Sequence, residues 1–202
     1  MDSRHSDAPV ATASALDVPL PVKIVIAGGF AVGKTTTVGA ISEIAPLTTE
    51  AAMTDVSVGI DDTTGAEQKA STTVAMDFGR ITVDDDLVLY LFGTPGQKRF
   101  DFMWEILSEG MFGFVVMIDS TRPETFREAR SILETFRAYA PTPYVVTANK
   151  QDLDDAWDPD DMRIALRLSP EVKLLPCIAT DKESVKNALL ELLYSILERM
   201  ES

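Results

Sequence analysis

The stretch VKIVIAGGFAVGKTTTVGA, Val22 to Ala40, carries Gly28, Gly33, Lys34 and Thr35 at a spacing that could do chemistry. They fit G-x-x-x-x-G-K-[ST], in which glycines let backbone N–H groups turn inward as an anion cradle where a strand runs into a helix. The expected cradle is Gly28, Gly29, Phe30, Ala31, Val32, Gly33, Lys34, Thr35 and Thr36. Lys34 is placed to reach the β- and γ-phosphates of a nucleoside triphosphate, and the Thr35 hydroxyl to hold Mg²⁺. Phe30 is the odd member, a bulky ring in a loop that wraps phosphates.

Phosphates alone do not select a base. In VVTANKQDL, Asn149, Lys150 and Asp152 form N-K-x-D after a strand pattern. A carboxylate there can accept two parallel hydrogen bonds, from the N1–H and 2-amino groups of guanine, a donor pair that adenine lacks. Lys150 can lay its aliphatic stem along the base, and Asn149 can tie this loop to the phosphate loop. Downstream, CIATDKES puts the Ala179 backbone N–H where it could meet the guanine O6. An ATP-dependent kinase or ATPase is the competing reading; it shares the phosphate loop but gives Asp152 no task.

Apolar runs alternating with helical patterns must position these residues. VKIVIAG, MFGFVVMID, PYVVTANK and KLLPCIA read as strands, each joined to the next by a helical stretch. That order predicts an α/β fold, a mostly parallel sheet with helices on both faces. DFGRITVDDDLVL is a hairpin pattern with Asp84 to Asp86 at its turn, so one strand should run antiparallel. Thr180 and Glu183 form a capping-box pattern ahead of the stripe Val185, Leu189, Leu192, Leu193 and Ile196. The polar, Thr-rich segment between Ile44 and Thr73 is too long for a simple connection and reads as a functional loop.

In order, GGFAVGKT, the Thr-rich loop, LFGTPGQKRF and TANKQD resemble the Ras-like small GTPases of the P-loop NTPase superfamily, from about Val22 to the end of the chain. T-P-G-Q and TTVAMDF are similar to bacterial members, the gliding-motility (MglA) type and, more closely, the actinobacterial conservon type with its MfpB-like relatives. The resemblance implies a six-stranded sheet with one antiparallel strand, GTP or GDP with Mg²⁺, and two loops that change conformation when the γ-phosphate is lost. It also implies an effector or a roadblock-type regulator as partner. Thr73 matches the first-switch threonine that touches Mg²⁺ and the γ-phosphate, with Thr72 and Ser71 as alternatives. Gly96 matches the glycine whose N–H senses the γ-phosphate, and Gln97 the glutamine that orients the attacking water.

The chain departs from that pattern in places. Where the family usually has an aspartate that holds a magnesium-bound water, this chain has Gly93. No arginine lies between Ile44 and Thr73; Lys69 lacks the bidentate fork, and Arg99 is the nearest candidate after Gln97. At the position of Phe30 Ras-like proteins carry glycine, and a side chain there crowds the space around the γ-phosphate. Together these features predict GTP binding with slow unaided hydrolysis. The second reading is a GTP-dependent scaffold that turns over negligibly. Phe100, Phe102, Met103 and Trp104 carry more apolar matter than one helix face needs, which suits a partner surface or plain core packing.

Composition limits the rest. The 202 residues suit one domain, with a disordered tail over 1–21 and the nucleotide domain over 22–202. A formal charge of -14 argues against wrapping nucleic acid or docking on anionic lipid. Asp2 is not a myristoylation glycine and LERMES offers no cysteine to prenylate, so no stable membrane anchor is expected. Cys177, the single cysteine, sits in an apolar run as a small core residue of a reduced cytoplasmic protein.

Overall fold

The computed structural model describes residues 19–45, 47–53 and 72–201. At the centre of its sheet is β1 (Leu20–Gly28), which starts ahead of Val22, the expected domain start. Successive side chains of a strand point to opposite faces, so Ile24 and Ile26 enter one core while Val25 and Ala27 enter the other. α1 (Lys34–Ile41) follows the glycine-rich turn. β2 (Leu47–Met53) and β3 (Thr72–Thr82) come next, then β4 (Leu87–Gly93) and α2 (Phe102–Ser108). The second half is β5 (Gly113–Asp119), α3 (Phe126–Tyr139), β6 (Tyr144–Asn149), α4 (Pro159–Leu166), β7 (Leu174–Pro176) and α5 (Lys182–Glu201).

The sheet order is β2-β3-β4-β1-β5-β6-β7, and every pairing is parallel except those that β3 makes with β2 and β4. This is the expected α/β fold of Ras-like type: six strands, one of them antiparallel, with helices on both faces. A seventh strand, β2, lies at the edge inside the segment expected to be a loop. Its run LTTEAAM has no period to announce a strand; pairing with β3 supplies the backbone hydrogen bonds that its side chains do not signal. Ser71, Lys69 and the proposed N-terminal tail up to residue 18 lie outside the described residues.

Two apolar cores clamp the sheet. On one face Val38 and Ile41 of α1 and Val185, Leu189, Leu192 and Ile196 of α5 pack on Ile24, Ile26, Leu89 and Leu91. On the other, Trp104 of α2, Ile132, Leu133 and Phe136 of α3 and Met162 of α4 pack on Val25, Phe114, Val116 and Ile118. Each such large apolar side chain contributes about 1.5–3 kcal/mol when fully buried. The helix starts are locally encoded: Asp158 accepts from the Asp160 N–H at 2.8 Å with Pro159 as the first helical residue. The start of α5 differs from the capping-box expectation. The helix begins at Lys182, so Asp181 takes the cap position and accepts from the Glu183 N–H at 3.1 Å, in place of Thr180.

β1 has β4 on one side and β5 on the other, so the chain winds away from it in two directions. In such sheets the crevice beyond the carboxyl ends of the strands at that switch point is left open for a ligand.

Candidate nucleotide site

Gly28, Gly93, Asp119 and Asn149 end β1, β4, β5 and β6, and the phosphate loop follows the first of them. Gly33 caps α1 with φ of 106°, a left-handed backbone that favours glycine. It has a second reason to lack a side chain: a Cβ there would lie 2.5 Å from Nδ2 of Asn149. That amide closes the gap between the two motifs. Its Nδ2 donates to the Val32 carbonyl at 2.8 Å, while its Oδ1 accepts from the Ala179 N–H at 2.8 Å. One buried side chain therefore pins the phosphate loop, the N-K-x-D loop and the turn after β7 together. The Ala179 N–H, placed by sequence for a base oxygen, is engaged by Asn149 in this structure.

A cavity of about 450 Å³ opens beside the loop, lined by Phe30, Lys34, Thr35, Asp77, Gly96 and Gln97 among others. Ala31, Val32, Gly33 and Thr36 also line it. Lys34 is buried and donates to the carbonyls of Gly28 and Gly29 at 2.9 and 2.6 Å. Burial pushes its ammonium down to about 8, against the opposing pull of Asp77 and Glu128. Phe30 is 66% exposed on the rim, so its ring does not fill the cavity. Gly96 packs on the loop so closely that a Cβ would come within 2.7 Å of the Gly29 carbonyl oxygen and 2.8 Å of the Phe30 Cα. The segment after β4 is anchored behind that contact by Trp104, whose Nε1 donates to the Pro95 carbonyl at 3.3 Å. Trp104 and Phe100 are buried, whereas Phe102 and Ile106 face solvent. Gln97 and Arg99 are exposed, with Arg99 lying over the Phe100 ring.

In the N-K-x-D loop, Lys150 Nζ sits 2.5 Å from Oδ2 of the buried Asp119. Burial pushes the Asp119 carboxyl up, but hydrogen bonds from Lys150 and Thr121 outweigh it and hold the group below its usual range. The Asp152 carboxylate is exposed. Thr73 stands apart: in β3 it pairs with Ala52 of β2, four residues from Asp77, about 13 Å along an extended strand.

Asp77 and Glu128, like Asp119 above, carried no role in the sequence reading. Asp77 lies in the quoted run TTVAMDF, opposite Gly93 in the β3–β4 ladder, and its Oδ2 accepts from Thr35 Oγ1 at 2.6 Å. A Cβ on Gly93 would fall 3.1 Å from both Cβ and Oδ2 of Asp77. The glycine thus leaves the space that Asp77 fills, and the carboxylate missing from β4 comes from β3. The only signal for it was the paired oddity of an aspartate in one apolar strand and a glycine ending the next. The second residue is Glu128 of α3, whose Oε2 comes within 3.7 Å of a Cβ built on Gly29, beneath the loop.

This setting fits a magnesium nucleotide. Thr35 and Asp77 offer two oxygen-bearing side chains in contact, the hard oxygen chemistry that Mg²⁺ takes alongside phosphate oxygens. Thr94 Oγ1, on the cavity wall, is buried with no hydrogen-bond partner among the described residues, a polar atom that a ligand could satisfy.

Similarity to known proteins agrees with this geometry. The family described as "Conserved hypothetical ATP binding protein" matches residues 26–199. An uncharacterized protein of Methanocaldococcus jannaschii is 33% identical over 134 residues, covering 66% of this chain and 73% of that protein. Human ADP-ribosylation factor-related protein 1 is 28% identical over 100 residues, 48% of this chain and 49% of the relative, so the match spans about half of that protein. Ras-related protein RABD2a of Arabidopsis thaliana is 27% identical over 136 residues, 64% of this chain and 67% of the relative. No helix among the described residues is long and apolar enough to cross a membrane.

Proposed function

This chain belongs to the family described as a conserved hypothetical ATP binding protein, and from that premise we propose that it is a guanine-nucleotide switch. It binds GTP and GDP with Mg²⁺ and hydrolyses GTP slowly until a partner assists. Asn149 carries the reading, because its side chain fastens the N-K-x-D loop to the phosphate loop, and the Asp152 of that loop is exposed and open to a base. Such a carboxylate rewards guanine with two hydrogen bonds and gives adenine none.

The chain's own residues divide the work. Lys34 neutralises the β- and γ-phosphates, and the N–H groups at the start of α1 cradle them. Mg²⁺, held by Thr35 with Asp77 behind it, would neutralise charge on the phosphate oxygens. Gln97 orients water from the rim, and the Gly96 N–H meets the γ-phosphate. Thr73 joins the metal only if the end of β3 moves, since four residues of strand separate it from Asp77. Phe30, beside Gln97 on the rim, hinders the approach of an assisting arginine, and Arg99 is already stacked on Phe100. The MglA-like and conservon-type resemblance and the α2 surface with Phe102 and Ile106 support a roadblock-type regulator or an effector as partner.

The family description favours ATP as the second reading. Titration with fluorescent GTP and ATP analogues separates them. The expected result is a GTP preference of about 100-fold or more that Asp152→Ala abolishes. Tighter ATP binding, or an Asp152→Ala variant with its GTP preference intact, refutes the guanine reading.

A further inference from the structure

The chain carries a formal charge of -14, yet between α3 and α4 it opens a cavity of about 700 Å³ whose wall includes Arg127, Arg130 and Arg167 with a single carboxylate, Glu134. Arg130 pairs with Glu134 at 2.9 Å. The side chains of Arg127 and Arg167 make no hydrogen bond or ion pair among the described residues. Trp157 supplies an apolar surface beside them, 40% exposed, with its ring braced edge-on against Phe126 at 5.5 Å. Its backbone is fixed as well, since its N–H donates to the Ser120 carbonyl at 2.9 Å and its carbonyl accepts from Gln151 Nε2 at 3.0 Å. An anchored ring on the same groove wall as two uncommitted guanidinium forks offers a surface for a group bearing both carboxylates and aliphatic carbon.

Arg167 adds an independent observation. It ends α4 in the left-handed region, φ 52° and ψ 44°, a cap position where glycine is the ordinary residue and a Cβ is disfavoured. Non-glycine residues in that region are held against local strain, and such strain gathers at functional positions.

We propose that the α3–α4 groove docks a short acidic segment of a partner protein, with carboxylates on Arg127 and Arg167 and an apolar side chain on Trp157. Length separates this occupant from a nucleic acid or a lipid surface. Asp154, Asp155, Asp158, Asp160 and Asp161 are all exposed along the loop into α4, so a long polyanion leaving the groove meets a like-charged flank. A segment bearing a few carboxylates ends before it does. None of these residues lines the phosphate cavity, so the site stands or falls apart from the nucleotide reading.

The test uses the full chain and a fluorescein-labelled octapeptide of six glutamates and two leucines, followed by anisotropy at low salt. Its counterparts are the same peptide with glutamine for glutamate, and an RNA octanucleotide. Saturable binding of the glutamate peptide is expected, at least about tenfold tighter than the glutamine peptide and weakening as salt rises. Arg127→Ala and Arg167→Gly should each weaken it by roughly three- to tenfold, while Arg167→Gly raises the melting temperature by about 2–4 °C as the left-handed strain is relieved. Equal binding of the two peptides, an unchanged affinity in the chain carrying both Arg127→Ala and Arg167→Gly, or tighter binding of the RNA would each overturn the proposal. So would a lower melting temperature in Arg167→Gly, which would make Arg167 a structural cap.

Discussion

Asp77 and Gly93 exchange roles across two neighbouring strands, and reversing that exchange tests the metal site. Asp77→Ala removes the carboxylate that accepts from Thr35 Oγ1 at 2.6 Å. A hydrogen bond to a charged group is worth about 1.5–3 kcal/mol, which corresponds to about 10- to 100-fold in an equilibrium constant. Loss of a residue that orients a metal ligand costs a similar factor in metal affinity. The assay is GTP affinity across a Mg²⁺ series with a chelated baseline. The Mg²⁺-dependent tightening should shrink by that factor, while metal-free affinity stays level or improves, because one negative charge near the phosphates is gone. Gly93→Asp alone should fail differently. Its Cβ falls 3.1 Å from Asp77 Oδ2, forcing two carboxylates into one space and destabilising the fold by about 1–3 kcal/mol. Combined with Asp77→Ala, the same Gly93→Asp change meets only a Cβ at 3.1 Å and should restore most of the metal dependence. If Asp77→Ala keeps its Mg²⁺-dependent tightening within about twofold, or the double variant binds no better than the single, the role of Asp77 behind the metal-holding Thr35 is refuted.

Lys34 gives a pH signature. With its ammonium lowered to about 8 by burial, the free protein loses that proton as pH rises past this value, while a bound polyphosphate needs the charge. GTP affinity should therefore fall roughly tenfold from pH 7 to about 9 in the native chain and stay flat in Lys34→Arg; parallel profiles would refute the assignment. The same shift makes the nucleotide-free fold more stable with pH from about 8 up to the ordinary lysine value of 10.5, because the unfolded chain then holds the extra proton. Asn149→Ala removes two hydrogen bonds of 2.8 Å inside the core and should destabilise the free protein by about 2–4 kcal/mol in urea unfolding; a loss under about 1 kcal/mol would mean that water replaces the bridge. Phe30→Gly takes away a ring that is 66% exposed, so stability should change by less than about 0.5 kcal/mol while single-turnover hydrolysis quickens; an unchanged rate assigns the ring no part in slowing turnover.

The sequence alone determined what lies within one contiguous stretch. The glycine-rich turn between β1 and α1 was legible because glycine spacing sets local backbone geometry, and the N-K-x-D run because one turn after β6 carries Asn149, Lys150 and Asp152. The central strands and α5 were legible for the same reason, since the period of their apolar residues is the period of their backbone. β2 was not, because its hydrogen bonds belong to β3 and leave no pattern in its own side chains. Only the tertiary structure decided what depends on register and packing: that residue 77 stands opposite residue 93, that Asn149 reaches back to Val32, and that Arg127 and Arg167 face one groove from different helices. A ladder shifted by one residue would turn Asp77 to the opposite face of the sheet, away from Thr35. No composition or spacing within the separate segments records that alignment, because it is set by how two cores close on the sheet between them.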